Sequence, residues 1–248
     1  MLETIVRRWY AFGFLAAFFW AASAERGWKR ALRFWAIAMV IEFTAEFLST
    51  HTGFPFGSYT YTAPTRGQEL YLSNVPLFVP MTFVVVVWAG RSLAQVGLKA
   101  RRAEQVVIVG AVFAALLDLI IDPMTLRGRM WFLGPLYEYD SLTGWFNVPW
   151  TNFAGWVLVA ALILFTDELF ETGRARTIEA IRGPTLAVII AAFFIVLALF
   201  TRQWAILLGQ LGVAALIWIV TAANVREAVA DVERAPPEEP PHGDAPAA

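Results

Sequence analysis

The chain has 248 residues, of which 58% are hydrophobic and 16% are charged, whereas soluble domains are usually about 25% charged. Its formal net charge of −1 gives no signal for nucleic-acid binding. The sequence contains no cysteine, which excludes disulfides, thiolate metal sites and cysteine nucleophiles. It also lacks a P-loop and a GxGxxG motif, so nucleotide chemistry has no support in the sequence.

Long apolar segments predict an all-α, polytopic membrane protein, because a spanning helix needs about 20 mostly apolar residues. Seven segments are candidates: 5–24, 32–50, 75–97, 105–122, 147–167, 184–201 and 203–223. The first has no clear small-residue cleavage site and is interpreted as a retained helix, not a signal peptide. We expect one transmembrane domain over residues 1–226. Residues 227–248 are rich in proline and acidic residues and predict a disordered cytoplasmic tail.

The basic residues predict an orientation in the membrane. With seven spans, 13 of the 19 lysines and arginines fall on the side that holds the loops after segments one, three and five and the C-terminal tail. Basic residues accumulate on the cytoplasmic side. The N-terminus is therefore expected outside and the C-terminus inside, in the inner (cytoplasmic) membrane of the cell.

Two long loops, 51–74 and 123–146, each lie within a similar series of short motifs. In both series an acidic pair is followed by Tyr-x-Tyr, then Asn-Val-Pro, then an apolar segment. The members are Glu42, Glu46, Tyr59–Tyr61 and Asn74–Pro76 in the first series, and Asp118, Asp122, Tyr137–Tyr139 and Asn147–Pro149 in the second. This order predicts a parallel tandem repeat, made of segments two and three and of segments four and five. The alternative is chance similarity between short motifs.

The acidic residues are the first candidates for chemistry. Carboxyl groups four residues apart lie on one helix face, and an ionisable residue in a spanning segment generally faces the protein interior. Paired carboxyl groups in unequal surroundings can act as acid and base. The alternative is a structural role as interfacial residues or helix caps, and Asp122 before Pro123 can simply end its helix.

Other enzyme classes fit the sequence less well. Four carboxyl groups with His51 can in principle hold a divalent ion, but metal sites of the relevant hydrolases and oxygenases usually include more histidines. The chain has two histidines, too few for a membrane di-iron hydroxylase or desaturase. Neither lysine lies on the last segment, which argues against a retinal protein, and no clustered aspartate motif indicates prenyl transfer. We predict no metal site.

Aromatic residues are concentrated in and beside the long loops. Some of them must form the interfacial aromatic belt, but ring faces also attract cations and suit a carbocation. The predicted substrate-binding residues are Phe54, Phe56, Tyr59, Tyr61, Trp131, Tyr137, Trp145, Asn147, Asn152 and Trp156. His51 follows the helix end, where it can either relay protons to Glu46 or Glu42 or simply bond a loop carbonyl.

Four stretches carry a resemblance to a known family: "EFTAEFLSTHTGFPFGSYTYT", "NVPLFVPMTF", "LLDLIIDPM" and "GWFNVPWTNFAGW". Over about residues 42–160 the chain resembles the membrane hydratases of carotenoid biosynthesis, which include carotenoid 1′,2′-hydratases and bisanhydrobacterioruberin hydratases. The resemblance implies cofactor-independent addition of water to a terminal isoprenoid double bond of an acyclic or monocyclic carotenoid, which gives a tertiary alcohol.

Our hypothesis is that Glu42 or Asp118 protonates the alkene. A partner carboxylate, Glu46 or Asp122, or else His51, then polarises the attacking water. The alternatives are an end-group cyclase, since the repeat also resembles the small membrane lycopene cyclases, and a non-catalytic carotenoid-binding subunit. The expected partners are the carotenoid within the bilayer, membrane lipids and other carotenoid enzymes, with no nucleic acid.

Overall fold

A computed structural model describes residues 2–62, 69–100, 102–170 and 181–234. These residues form eight α-helices: α1 Leu2–Arg7, α2 Trp9–Arg26, α3 Trp28–Thr52, α4 Phe78–Ser92, α5 Ala103–Thr125, α6 Trp150–Leu169, α7 Arg182–Phe200 and α8 Trp204–Arg234. A π-helical turn, Leu93–Gly97, continues α4. The helical architecture expected from the sequence is confirmed.

Within the described ranges, five helical segments are long and apolar enough to cross a membrane. They are Phe78–Gly97, Ala103–Thr125, Trp150–Leu169, Arg182–Phe200 and Trp204–Ala230. Helices α2 and α3 coincide with the other two predicted spans but are not among the five. Many large apolar side chains point outward, including Leu208 at 71% and Ile219 at 76% exposure, as expected for helices that face lipid.

The C-terminal boundary differs from the prediction. Helix α8 runs to Arg234, so the chain remains helical eight residues beyond the predicted start of the tail after residue 226. Residues 235–248 lie outside the described residues, as do Arg66, Arg101, Arg174 and Arg176 of the charge count.

Helix α5 packs against α4, α6, α7 and α8. A close approach at glycine lets α4 and α5 touch through their backbones: a Cβ on Gly90 would lie 2.5 Å from the carbonyl oxygen of Gly110. Both acid-bearing helices, α3 and α5, therefore belong to one packed bundle, in which α3 also contacts α4 and α6.

Among the described residues, six short strands lie in the two long loops or directly after them: β1 Tyr59–Tyr61, β2 Tyr71–Leu72, β3 Val75–Pro76, β4 Tyr137–Tyr139, β5 Gly144–Trp145 and β6 Val148–Pro149. Strands β2–β3 and β5–β6 are hairpins, whereas β1 pairs with β4 across the two loops. In the second hairpin, Phe146 and Asn147 both have positive φ, 51° and 74°, as a tight hairpin turn requires. The second Asn-Val-Pro motif thus supplies a turn residue and strand β6, directly before α6.

The two ends of the bundle are closed by different ion pairs. At the end with the long loops, Arg8 pairs with Glu69 and donates to the carbonyl oxygen of Leu133, 2.7 Å away. At the opposite end, Asp167 of α6 accepts from Arg26 and from Arg33, with N···O distances of 3.2 and 3.0 Å. The loop end, where the acidic pairs also lie, is thereby tied to the start of α2.

Candidate active site

Helices α3 and α5 bring the two acidic pairs to one cavity. Glu42 and Asp118 are fully buried, whereas Glu46 and Asp122, one turn nearer the loops, are 8% and 9% exposed. All four carboxyl groups line the cavity. Because i and i+4 side chains share a helix face, each helix presents both of its acids to the same space. Glu46 of α3 therefore shares this space with Asp118 and Asp122 of α5.

A two-stranded ribbon holds four tyrosines beside these acids. Strands β1 and β4 are antiparallel, with Tyr59 opposite Tyr139 and Tyr61 opposite Tyr137. Residues two apart on a strand point to the same face, so all four rings face the cavity while Thr60 and Glu138 are exposed. Neighbouring rings pack edge to face, with centroids 5.5 Å apart for Tyr59 and Tyr139.

The tyrosines are hydrogen-bond donors to the outer acid of each pair. The hydroxyls of Tyr59 and Tyr61 both donate to Oε2 of Glu46. Burial, and then the Glu46 carboxylate, raise the pKa of both phenols well above the usual value. These hydroxyls therefore keep their protons and can stabilise a negative charge on Glu46.

Asp122 is held by a larger set of donors. Tyr137 donates to its Oδ1 at 2.6 Å and Tyr139 to its Oδ2 at 3.2 Å. Thr125 donates to Oδ1 at 2.8 Å. The pKa values of Tyr137 and Tyr139 are raised by burial and then by the Asp122 carboxylate. Asp122 is the acid with the most donors among the four, which suits a fixed carboxylate.

Asn152, at the start of α6, joins the two aspartates. Its Nδ2 lies 2.8 Å from Oδ2 of Asp118 and 2.9 Å from Oδ2 of Asp122. Asn152 is itself 3% exposed. The sequence interpretation placed Asn152 among the substrate contacts. The structure shows that its amide also bridges two acids.

The rest of the cavity wall is apolar and largely aromatic. The cavity contains about 950 Å³ of empty space, part of it open to the outside. Phe83 of α4 and Trp156 of α6 stack directly on each other in this wall, with ring centroids 3.8 Å apart. Phe56 reaches the wall because Gly155 of α6 has no side chain: a Cβ there would lie 2.6 Å from Cδ1 of Phe56. An apolar ligand can therefore lie beside four buried carboxyl groups.

Most of the predicted site residues meet in this cavity. The acids Glu42, Glu46, Asp118 and Asp122 line it, together with Phe56, Tyr59, Tyr61, Trp131, Tyr137, Asn152 and Trp156. Four predicted residues are not among those that line it: His51, Phe54, Trp145 and Asn147. Phe54 is 62% exposed, and Asn147 is an exposed turn residue with positive φ.

His51 and Trp145 make local hydrogen bonds outside this lining. His51 lies exposed at the end of α3, where its Nδ1 is 2.6 Å from the carbonyl oxygen of Phe47. Trp145 donates its indole N–H to the carbonyl oxygen of Leu119. Pro123 lies inside α5 rather than ending it and has no N–H, so it leaves that carbonyl without its helical partner. The predicted end of the helix at Asp122 is therefore corrected to Thr125.

Several lining residues escaped the sequence interpretation of the site. They are contributed by α2, α4, α5, α7 and the second loop, and include Tyr10, Phe14, Val79, Thr125, Tyr139 and Phe194. Tyr139 could have been found from its place in Tyr-x-Tyr. No sequence pattern could have identified Tyr10, Phe14 and Phe194 as cavity residues, because an aromatic residue in an apolar helix looks the same in the sequence whether it faces lipid or a cavity.

Across the described ranges, no three His, Asp or Glu side chains are arranged to hold a metal ion.

Comparison with known proteins assigns the chain to a family. Residues 8–221 match the family model described as carotenoid biosynthesis protein. Over 138 residues, the chain is 30% identical to bisanhydrobacterioruberin hydratase of Haloarcula japonica. The aligned region covers 54% of this chain and 44% of that relative, so the chain spans less than half of its length. No solved structure matches the chain. Because the family model matches most of this chain, the chain belongs to the carotenoid biosynthesis protein family.

Proposed function

We propose that this protein hydrates a carotenoid: it adds water to a terminal isoprenoid double bond and forms a tertiary alcohol. The observation that carries the proposal is the cavity in which four buried carboxyl groups lie against an aromatic wall. The name of the similar hydratase from Haloarcula japonica supports the same reaction class. Addition of water is redox-neutral, so the chemistry requires an acid, a base and a water molecule.

The wall and the acids have complementary roles in this proposal. Protonation of a terminal alkene places a positive charge on the tertiary carbon. Aromatic rings of the cavity wall can offer their faces to a cation, and carboxylates held by tyrosine hydroxyls offer opposite charge. Preorganised groups of this kind stabilise a transition state without having to rearrange. Water that reaches the cation from the acidic wall completes the addition.

We also infer that the two acid–tyrosine units are related by a pseudo-twofold axis along the membrane normal. The register of β1 and β4 supports this, because Thr60 pairs with Glu138, its counterpart in the other unit. Phe83 and Trp156, each nine residues after the asparagine of Asn-Val-Pro, stack on one another. An experimental structure in which α3–α4 and α5–α6 do not superpose would overturn the repeat.

The chain is proposed to cross the inner membrane seven times, with α2 and α3 as the two spans beyond the five apolar segments. The long loops and the N-terminus then lie outside and the C-terminus inside. The distribution of basic residues supports this orientation. The acids would lie near the outer face, where Glu46 and Asp122 can exchange protons with water.

Expression in a host that makes carotenes but has no hydratase tests the function. Hydration predicts a product heavier than its precursor by one water. An isomer of unchanged mass would indicate cyclisation instead, and unchanged carotene that copurifies with the protein would indicate a binding subunit. The double variant Glu42→Gln/Asp118→Asn, tested in the same host, is the matched inactive control.

A further inference from the structure

The four acids differ in how many hydrogen bonds they receive. Asp122 accepts from Tyr137, Tyr139, Thr125 and Asn152. Of the donors that the described residues supply, Glu46 accepts from two tyrosines and Asp118 from Asn152 alone. Among the described residues, no N–H or O–H donor reaches either oxygen of Glu42, although its side chain is fully buried. The two inner acids, Glu42 and Asp118, are therefore not equivalent.

The difference between Glu42 and Asp118 in hydrogen bonds received originates in one pair of corresponding positions, 79 and 152. Asn152 lies five residues after the asparagine of the second Asn-Val-Pro motif, and Val79 lies five residues after that of the first. Both residues line the cavity. Asn152 supplies an amide to Asp118 and Asp122, whereas the valine side chain has no donor for Glu42 and Glu46.

The surroundings of Glu42 suit a carboxylic acid rather than a carboxylate. A buried charge without donors is costly, and the polar neighbour of Glu42 is the Glu46 carboxyl group one turn away. Two adjacent carboxyl groups share a proton more readily than they both ionise. Because two tyrosine hydroxyls stabilise the anion on Glu46, the shared proton belongs on Glu42.

Asp118 has the opposite arrangement. The Asn152 amide donates to Oδ2 and so stabilises a carboxylate. The other oxygen, Oδ1, is buried and receives no hydrogen bond from the described residues. That oxygen is free to accept a hydrogen bond from a water molecule in the cavity, whereas both oxygens of Asp122 already accept from protein donors.

We propose that Glu42 donates the proton to the alkene and that Asp118, positioned by Asn152, accepts the proton of the attacking water. This assignment rests on the proposed hydration. The O–H bond of Glu42 breaks as a C–H bond forms, which leaves the cation on the adjacent tertiary carbon. The water oxygen bonds to that carbon, and its proton passes to Asp118. Transfer of this proton to Glu42, through Glu46 or solvent, restores the starting state, with one water consumed.

Deuterium labelling separates the two roles. Purified wild-type protein supplied with carotene in D₂O should release alcohol that carries one carbon-bound deuterium. In Asp118→Asn, the cation still forms but water attack fails. The cation then returns a proton to the Glu42 carboxylate, and either hydrogen isotope of the new CHD group can leave. Unhydrated carotene should therefore be recovered with deuterium, while hydration falls by about 10²–10⁴-fold. In Glu42→Gln, hydration and deuterium uptake should fall together.

The positioning residue provides the second variant. Asn152→Val, which copies the Val79 position, should behave like Asp118→Asn and raise the ratio of deuterium uptake to hydration. A merely structural defect would lower both rates and leave that ratio unchanged. Glu42→Asp keeps a carboxylic acid and should recover part of the exchange that Glu42→Gln loses, which guards against a folding defect.

The outcomes distinguish the assignment from the function. If wild-type protein hydrates carotene but Glu42→Gln still exchanges deuterium, or Asp118→Asn exchanges none, the assignment is wrong. The same holds if Asn152→Val leaves the ratio unchanged. If wild-type protein adds no water to any carotene tested, the hydratase function itself fails, whatever the variants do.

Discussion

The indole nitrogen of Trp145 lies 3.0 Å from the carbonyl oxygen of Leu119. Pro123, four residues after Leu119, cannot donate to that oxygen, so the second loop supplies the hydrogen bond that α5 lacks. The same end of α5 is held by Trp131, whose indole donates to the carbonyl oxygen of Met124 at 2.8 Å. The helix that carries Asp118 and Asp122 is thereby fixed to the loop that carries their tyrosines.

Trp145→Phe should therefore destabilise the fold rather than abolish substrate binding. Loss of the indole N–H leaves a carbonyl group unpaired inside the bundle, which typically costs about 1–3 kcal/mol. Pro123→Ala restores an N–H to position 123, so the double variant should recover stability that Trp145→Phe loses. The free energies of unfolding of the wild type, the two single variants and the double variant, measured in detergent, give the coupling between positions 145 and 123. If the two losses of stability simply added, the proposed link between Trp145 and the carbonyl group left free by Pro123 would be contradicted.

The Arg8–Glu69 ion pair should stabilise the folded protein at the end of the bundle where the long loops lie. Both side chains are buried, and the Arg8 guanidinium also lies 4.5 Å from the centre of the Phe78 ring. Arg8→Ala leaves Glu69 without its partner, a change that costs about 3–5 kcal/mol in buried pairs. The double variant Arg8→Met/Glu69→Leu should unfold at a higher temperature than Arg8→Ala. If Arg8→Ala melted like wild type, the pair would contribute nothing to closure.

Gly155→Ala should impair activity through Phe56. The new Cβ would lie 2.6 Å from the Phe56 ring and 2.7 Å from the carbonyl oxygen of Pro55, so the first loop must move away from α6. Misplacement by about 1 Å can cost about 10²-fold in rate. Gly13→Ala is the matched control, because nothing lies within 4 Å of a Cβ there. Equal hydration rates for the two variants would contradict this role for Gly155.

Alkaline pH should weaken the fold through the tyrosine ribbon. Burial, and then the neighbouring carboxylates, raise the pKa values of Tyr59, Tyr61, Tyr137 and Tyr139 in the folded protein. Above about pH 10 the unfolded chain releases phenolic protons that the folded chain retains, so stability is full below that pH and falls as pH rises. Unfolding at stepped pH should show this loss. The loss of stability at alkaline pH should be smaller in Tyr59→Phe/Tyr61→Phe than in the wild type. An equal loss in both proteins would argue against the tyrosine ribbon as its source.

Single cysteines test the proposed orientation against a cysteine-free background. Ser58 and Arg129 lie in the two long loops and are exposed. Cysteine at either position should react with an impermeant maleimide added to intact cells. Labelling that appears only after the cytoplasmic face is opened would reverse the topology.

The sequence by itself determined the features that depend on neighbours along the chain. Apolar runs located the helices, a spacing of four placed Glu42 with Glu46 and Asp118 with Asp122 on common faces, and a spacing of two aligned the tyrosines of each Tyr-x-Tyr. These patterns follow from helix and strand periodicity, which is why seven predicted segments coincide with helices and all four acids line one cavity.

Only the tertiary structure decided which of these groups meet and which donor each acid receives. The pairing of Tyr59 with Tyr139, the amide of Asn152 between two aspartates and the exclusion of His51 from the cavity wall all depend on contacts between distant parts of the chain. No local pattern encodes such contacts, because they arise when α3, α5 and α6 pack together and bring their loops with them. For the same reason the sequence predicted Trp145 as a substrate contact, whereas the tertiary structure places its indole N–H against the Leu119 carbonyl group that Pro123 leaves without a helical partner.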